Sequence, residues 1–177
     1  MINNIVLISA VIFFVALAGL FAGSETGMYQ LSRLRLRLGI ENKRLPFITL
    51  GRCLSDSPGL LLSMLIGTNL AHYIATSIVT SMFLGTVDTE HRAEFFTTVL
   101  TVPIFFIFSE LIPKNMFFYR ADLLMPYLSP LLYLFHKLLN WSGILPALKF
   151  LSGSFARLMG LAASSRTFIA SAQRHKL

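Results

Sequence analysis

The sequence predicts an all-α integral membrane protein: three transmembrane helices followed by an in-plane amphipathic juxtamembrane helix. Three observations lead there. Of the 177 residues, 55% are hydrophobic and 13% charged, about half the roughly 25% charged residues of a soluble domain. Three apolar runs of spanning length alternate with connections of opposite charge. Within those runs the polar and acidic side chains gather at glycine and proline interruptions, where a helix in hydrocarbon is expected to break. The length fits one domain.

The net charge of +7 does not point to nucleic acid. The basic residues lie just outside the apolar runs, where they meet the anionic headgroups of a lipid bilayer. The single cysteine, Cys53, excludes an intramolecular disulfide and a cysteine-rich metal site, and reads as a small buried or interfacial thiol.

The first run, residues 5–23, is uncharged and apolar apart from Ser9. About 19 residues at about 1.5 Å each match the roughly 30 Å hydrocarbon core. Without a basic leader or a cleavage site at Gly23-Ser24-Glu25-Thr26 it is read as retained. It ends in Gly23-Ser24-Glu25-Thr26-Gly27, whose two glycines are expected to loosen the helix around three polar side chains. Residues 31–52 then carry Arg33, Arg35, Arg37, Lys43, Arg44 and Arg52 against Glu41, which places them in the cytoplasm and the N-terminus outside.

The second run, residues 58–84, opens with Pro58, suited to a helix's first turn. Its middle is interrupted by Gly67-Thr68-Asn69 and His72. The connection over 85–94 holds Asp88, Glu90 and Glu94 against Arg92, and belongs outside. The third run returns inward from Phe95 and ends in Ser109-Glu110-Leu111-Ile112-Pro113-Lys114-Asn115, where Pro113 is expected to bend the helix and free carbonyls near Glu110.

Residues 121–161 contain Pro126 and Pro130. Asp122, Ser129, Tyr133, His136, Lys137 and Asn140 recur there mostly at steps of three, four or seven, which gathers them on one face, as in a helix lying in the interface. A fourth crossing is the alternative. The domain is taken to end at 161, before a short polar, basic tail over 162–177 without order of its own.

Three clusters inside the runs carry chemistry: Ser24-Glu25-Thr26, Gly67-Thr68-Asn69 and Ser109-Glu110. Oxygen is their common element, which suits hard cations such as Mg²⁺, Ca²⁺ or Na⁺ rather than zinc or copper. Each residue also has a plainer role. For Ser24 it is a hydroxyl bonding back to its own helix or packing at a small-residue contact; for Asn69, joining helices; for Glu25, a helix-end charge facing headgroups. Glu110 follows Phe105-Phe106-Ile107-Phe108, and an acid so placed is functional by default. Its plainer role is an ion pair with Lys114 one turn away. His72 reads as a helix–helix hydrogen-bonding residue; His91, His136 and His175 show no spacing that suggests partners. There is no HExxH, GxSxG or phosphate-cradling loop, so no enzyme is expected.

Phe21-Ala22-Gly23-Ser24-Glu25-Thr26-Gly27-Met28 followed by Leu31-Ser32-Arg33-Leu34-Arg35 resembles the opening of the CorC/cyclin M (CNNM) transmembrane domain. Ile66-Gly67-Thr68-Asn69-Leu70 and Ser109-Glu110-Leu111-Ile112-Pro113-Lys114 are similar to its other two signatures, in the same order, over residues from about 5 to 160. The resemblance implies transport of Mg²⁺, mostly efflux and often discussed as sodium-coupled. It implies a homodimer of three-helix protomers, each belted by a juxtamembrane helix, in a cell membrane such as a bacterial inner membrane, with a cytoplasmic C-terminus. It implies a dehydrated ion site with Ser24, Asn69 and Glu110 as side-chain ligands and Gly67 offering a carbonyl. Family members usually continue into nucleotide-binding CBS domains; this sequence stops before they would fit, as a minimal member or a membrane-domain fragment would, and no nucleotide is expected on these residues. The rival expectation is a non-transporting membrane scaffold or sensor that binds a divalent cation.

Overall fold

The computed structural model describes residues 2–84 and 90–158. The tail over 162–177 and residues 85–89 of the acidic connection lie outside the described residues. Among the described residues there is no strand. The helices are α1 (Ile2–Gln30), α2 (Arg33–Glu41), α3 (Leu45–Ser55), α4 (Ser57–Leu84) and α5 (Glu90–Phe105). A π-helical segment (Phe106–Leu111), α6 (Ile112–Trp141) and α7 (Ile144–Leu158) complete them. Among the described residues, three stretches are long and apolar enough to cross a membrane: Ile5–Gln30, Ser57–Met82 and Thr101–Trp141.

α1 and α4 pack along each other, and the π segment packs on α1. Neither α1 nor α4 breaks at its glycines. α1 runs unbroken through Gly23-Ser24-Glu25-Thr26-Gly27, and α4 through Gly67-Thr68-Asn69. The glycines serve close packing instead. A Cβ at Gly67 would lie 2.7 Å from Phe21 Cδ2, and one at Gly19 would lie 2.8 Å from Pro113 Cγ. At Gly27 it would lie 2.8 Å from Phe117 Cδ1 and 2.9 Å from Met125 Sδ, and Gly23 faces the Phe117 ring. Gly19, Gly23 and Gly27 thus form a stripe at every fourth position that seats Pro113, Phe117 and Met125. In a bilayer, where apolar burial gives no driving force between helices, such approach is what packing depends on.

The basic connection folds into two short helices. Ser32 caps α2, its side chain accepting from Arg35 N at 3.5 Å, and Pro46 sits in the first turn of α3, where a missing N–H costs nothing. Lys43, at φ 52°, makes the turn between them. Gly39 admits the Phe47 ring. Asp56 Oδ1 accepts from Gly59 N at 3.3 Å and so caps α4, which begins with Pro58 in its first turn as expected.

The third span is distorted in two places, and the sharp bend is not at Pro113. Ahead of that proline the helix widens: Ile112 N donates to Ile107 O, five residues back. A wider turn keeps the proline ring away from the carbonyl it would strike in a regular helix, and leaves Pro113 early in α6. The bend comes at Arg120, with non-helical φ −129° and ψ 31°.

Past that bend α6 packs across the ends of the spans that α2 and α3 connect. Asp122 Oδ1 accepts from Ser32 N at 2.8 Å, and Oδ2 pairs with Arg35 at 3.4 Å. Ser129 Oγ donates to Pro46 O or to Pro126 O, at 2.9 and 2.7 Å. His136 Nδ1 lies 3.0 Å from Ser63 Oγ and Nε2 lies 3.4 Å from Asp56 Oδ2. The polar stripe at 122, 129 and 136 therefore turns inward, because those helix ends present N–H, C=O and carboxylate groups that need partners. The polar face expected to meet the interface is turned instead to those helix ends.

Below this stripe Phe21, Leu50, Cys53, Leu60, Met64, Phe117, Met125 and Leu132 form the core, with the Phe21 and Phe135 ring centroids 4.7 Å apart. Burial pushes the Cys53 thiol up to about 11, which leaves it an inert packing group. This compact unit ends at His136, and a second begins at Lys137. In the second, Gly143 at φ 79° turns the chain into α7, whose 15 residues are short of the about 20 needed to cross a membrane.

Candidate functional site

Ser24 lies in α1, fully buried, with its hydroxyl donating to Leu20 O at 2.6 Å. Gly67 is buried in α4 against Phe21. One half-turn further, Asn69 is exposed and its Nδ2 donates to Leu65 O at 2.9 Å. Glu110 is in the π segment, its Oε2 3.9 Å from Lys114 Nζ, with 36% of its side chain exposed. Each of the three expected side-chain ligands therefore has its recorded polar partner on its own helix, four residues away. No recorded hydrogen bond or ion pair joins Ser24, Asn69 and Glu110 to one another among the described residues. A side-chain rotation, without backbone movement, releases any of the three.

A bond that crosses between spans lies one residue from Glu110. His72 Nε2 and Ser109 Oγ are 2.5 Å apart, and the His72 ring stacks on Phe105 with centroids 5.9 Å apart. Ser109 is fully buried, and its hydroxyl also donates to Phe105 O at 2.6 Å. A serine has one proton to give; spent on Phe105 O, it leaves the oxygen to accept from His72 Nε2–H. This fixes the imidazole as a donor in that position and ties α4 to the π segment at the level of the acid. Sequence reasoning identified His72 as a helix–helix residue and Ser109 as part of a cluster, without joining them. No spacing rule links positions on different helices.

The backbone supplies further oxygens. α4 is regular across Gly67, so that carbonyl stays in the helical ladder and offers at most its second lone pair. Pro113 has no N–H, so Phe108 and Ser109 carbonyls, which a residue at that position would otherwise serve, lack its donor. Both residues face Gly19: a Cβ there would lie 3.5 Å from Phe108 O and from Ser109 Cα.

Among the described residues no group of three or more His, Cys, Asp or Glu is placed to hold a metal ion. A cation here would be held by Glu110 with neutral hydroxyl, amide and carbonyl oxygens, the donor set of hard cations. Glu110, Phe106, Leu111, Lys114 and Asn115 line an open groove on the third span. Glu25 and Thr26 are half-buried, inside α1 rather than beyond its end.

A family model described as the cyclin M transmembrane N-terminal domain matches residues 9–176. No curated protein matches the chain. The match takes in α1, the basic helices, α4, the distorted third span and α6, and with them each residue of the candidate site.

Proposed function

The chain belongs to the cyclin M transmembrane-domain family, a multi-pass membrane protein of a metal-transport family, and from that premise we propose that it moves Mg²⁺ across the membrane. In this reading it is a secondary transporter working in the efflux direction with Na⁺ as coupling ion. It acts as a homodimer in a cell membrane, with the N-terminus outside and the C-terminus in the cytoplasm. The observation that carries the proposal is Glu110. It lies midway between Thr101 and the bend at Arg120, and its recorded ion pair with Lys114 is long and half-exposed. A pair of that kind is worth about 0.3–0.5 kcal/mol, far less than a carboxylate costs in hydrocarbon, about 2.5 kcal/mol even on the mildest scale.

Mg²⁺ holds its water tightly and accepts near-octahedral oxygen at about 2.0–2.1 Å. Glu110 supplies the charge, and Ser24 and Asn69 replace lost waters after turning from their own helix carbonyls. The Gly67 carbonyl and those left by Pro113 complete the cage. Competition between the cation and these local bonds gives a site that binds and lets go. Asn69, polar and exposed in the middle of α4, supports a water-filled cavity or a second protomer beside it.

Flux in proteoliposomes tests the proposal. The wild-type chain is expected to move Mg²⁺ in response to a Na⁺ gradient, and Glu110→Ala and Asn69→Ala to slow it at least about tenfold at equal reconstitution. Unchanged flux in both variants overturns the site. Mg²⁺ binding without flux at any gradient gives the scaffold or sensor reading instead.

A further inference from the structure

We propose that the bend at Arg120 is a binding site for one anionic phospholipid, with the phosphate at Arg120 and Arg35 and an acyl chain along the third span. Two concavities meet there. An apolar groove of about 370 Å³ runs beside Leu111, Ile112, Met116 and Leu124 to Tyr119 and Arg120. A polar pocket of about 340 Å³ shares Tyr119 and Arg120 and adds Gln30, Arg35 and Asp122. An apolar trough opening into a basic, hydrogen-bonding pocket has the shape and chemistry of a lipid, tail and head in order.

Dimensions and charge agree with that occupant. From Leu111 to Arg120 is nine residues, about 13 Å of helix, close to the about 15 Å of one hydrocarbon leaflet. The groove ends at the side of the molecule that carries α2 and α3, with their surplus of arginines, where anionic headgroups concentrate. Arg120 has no ion pair among the described residues. Asp122, whose charge would repel a phosphate, is engaged by Ser32 N at 2.8 Å, and its 3.4 Å pair uses Arg35 Nη1, leaving the rest of that exposed guanidinium to a phosphate. Tyr119, exposed beside Arg120, is the amphipathic residue that settles at a headgroup boundary.

Such a lipid would lie against Leu111, directly after Glu110, and would brace the bend on which the belt helix turns. The inference rests on the membrane-spanning fold and not on cation transport, so lipid retention and Mg²⁺ flux fail separately. The test is native mass spectrometry of the full chain released from detergent, with phosphatidylglycerol or phosphatidylcholine added. One phosphatidylglycerol per chain is expected to be retained over phosphatidylcholine. Arg120→Gln should lower that retention at least about fivefold, and Met116→Trp, which fills the exposed groove, should lower it too. Arg37→Gln, an exposed arginine of α2 outside the pocket, should leave it unchanged. Equal retention of both lipids, or wild-type retention by Arg120→Gln, overturns the proposal. Displacement by inorganic phosphate would make it a simple anion site. A change in oligomer mass with Met116→Trp, at unaltered lipid retention, would make the groove a contact between copies.

Discussion

Glu110 Oε2 stands 3.9 Å from Lys114 Nζ, and what that pair does divides the two readings of the acid. A structural pair would lose stability when either partner is removed. A cation ligand would instead be helped by losing a neighbouring positive charge that competes for the carboxylate. Lys114→Ala is therefore expected to bind Mg²⁺ about two- to threefold more tightly with little change in stability without the ion. Glu110→Gln should abolish stabilisation by Mg²⁺. Thermal unfolding across a Mg²⁺ titration reads both; weaker binding in Lys114→Ala would favour the structural pair. The anomaly of an acid within an apolar run was legible in the sequence, as was the i,i+4 lysine. The His72–Ser109 bond was not. It depends on which faces of two distant helices meet, and periodicity within one helix carries no such information. His136 is the same case: its partners Ser63 and Asp56 lie 73 and 80 positions back along the chain and become neighbours through the belt.

At the scale of elements, small residues and proline shape the spans differently from their intrinsic preferences. The glycines of the first and second spans suggested broken helices, yet α1 and α4 are continuous and the glycines are packing surfaces. The four-residue spacing of Gly19, Gly23 and Gly27 was the available signal. It distinguishes a contact stripe from a hinge because a hinge needs no period. The difference is measurable. Gly23→Ala pushes a methyl group into the Phe117 ring and should cost about 1–3 kcal/mol of stability. Gly153→Ala, in α7 with nothing within 4 Å of the added carbon, should be neutral or stabilise by up to about 1 kcal/mol through helix propensity. Equal effects in reversible unfolding would show that Gly23 does not act through packing. Pro113 likewise suggested the bend, but the widened π turn absorbs its demands and the chain bends seven residues later.

At the scale of the whole molecule, the three stretches fit to cross a membrane follow from hydropathy, because it is read in the bilayer's own terms of length. The distribution of function within that frame is less direct. The belt helix directs Asp122, Ser129 and His136 into the ends of the spans, so the arginine-rich connection, the start of α4 and the third span form one connected unit. Within it, Ser24 and Asn69 keep to their own helices and Glu110 to its lysine, and the proposed transport requires a cation to draw them together. The most direct test is a crystal soaked with Mn²⁺, an oxygen-seeking ion with a measurable anomalous signal standing in for Mg²⁺. The account predicts a peak at about 2.0–2.3 Å from a Glu110 carboxylate oxygen, with Ser24 or Asn69 turned away from Leu20 O or Leu65 O to face it. A Glu110 still paired to Lys114, with no peak between the three spans, would contradict it.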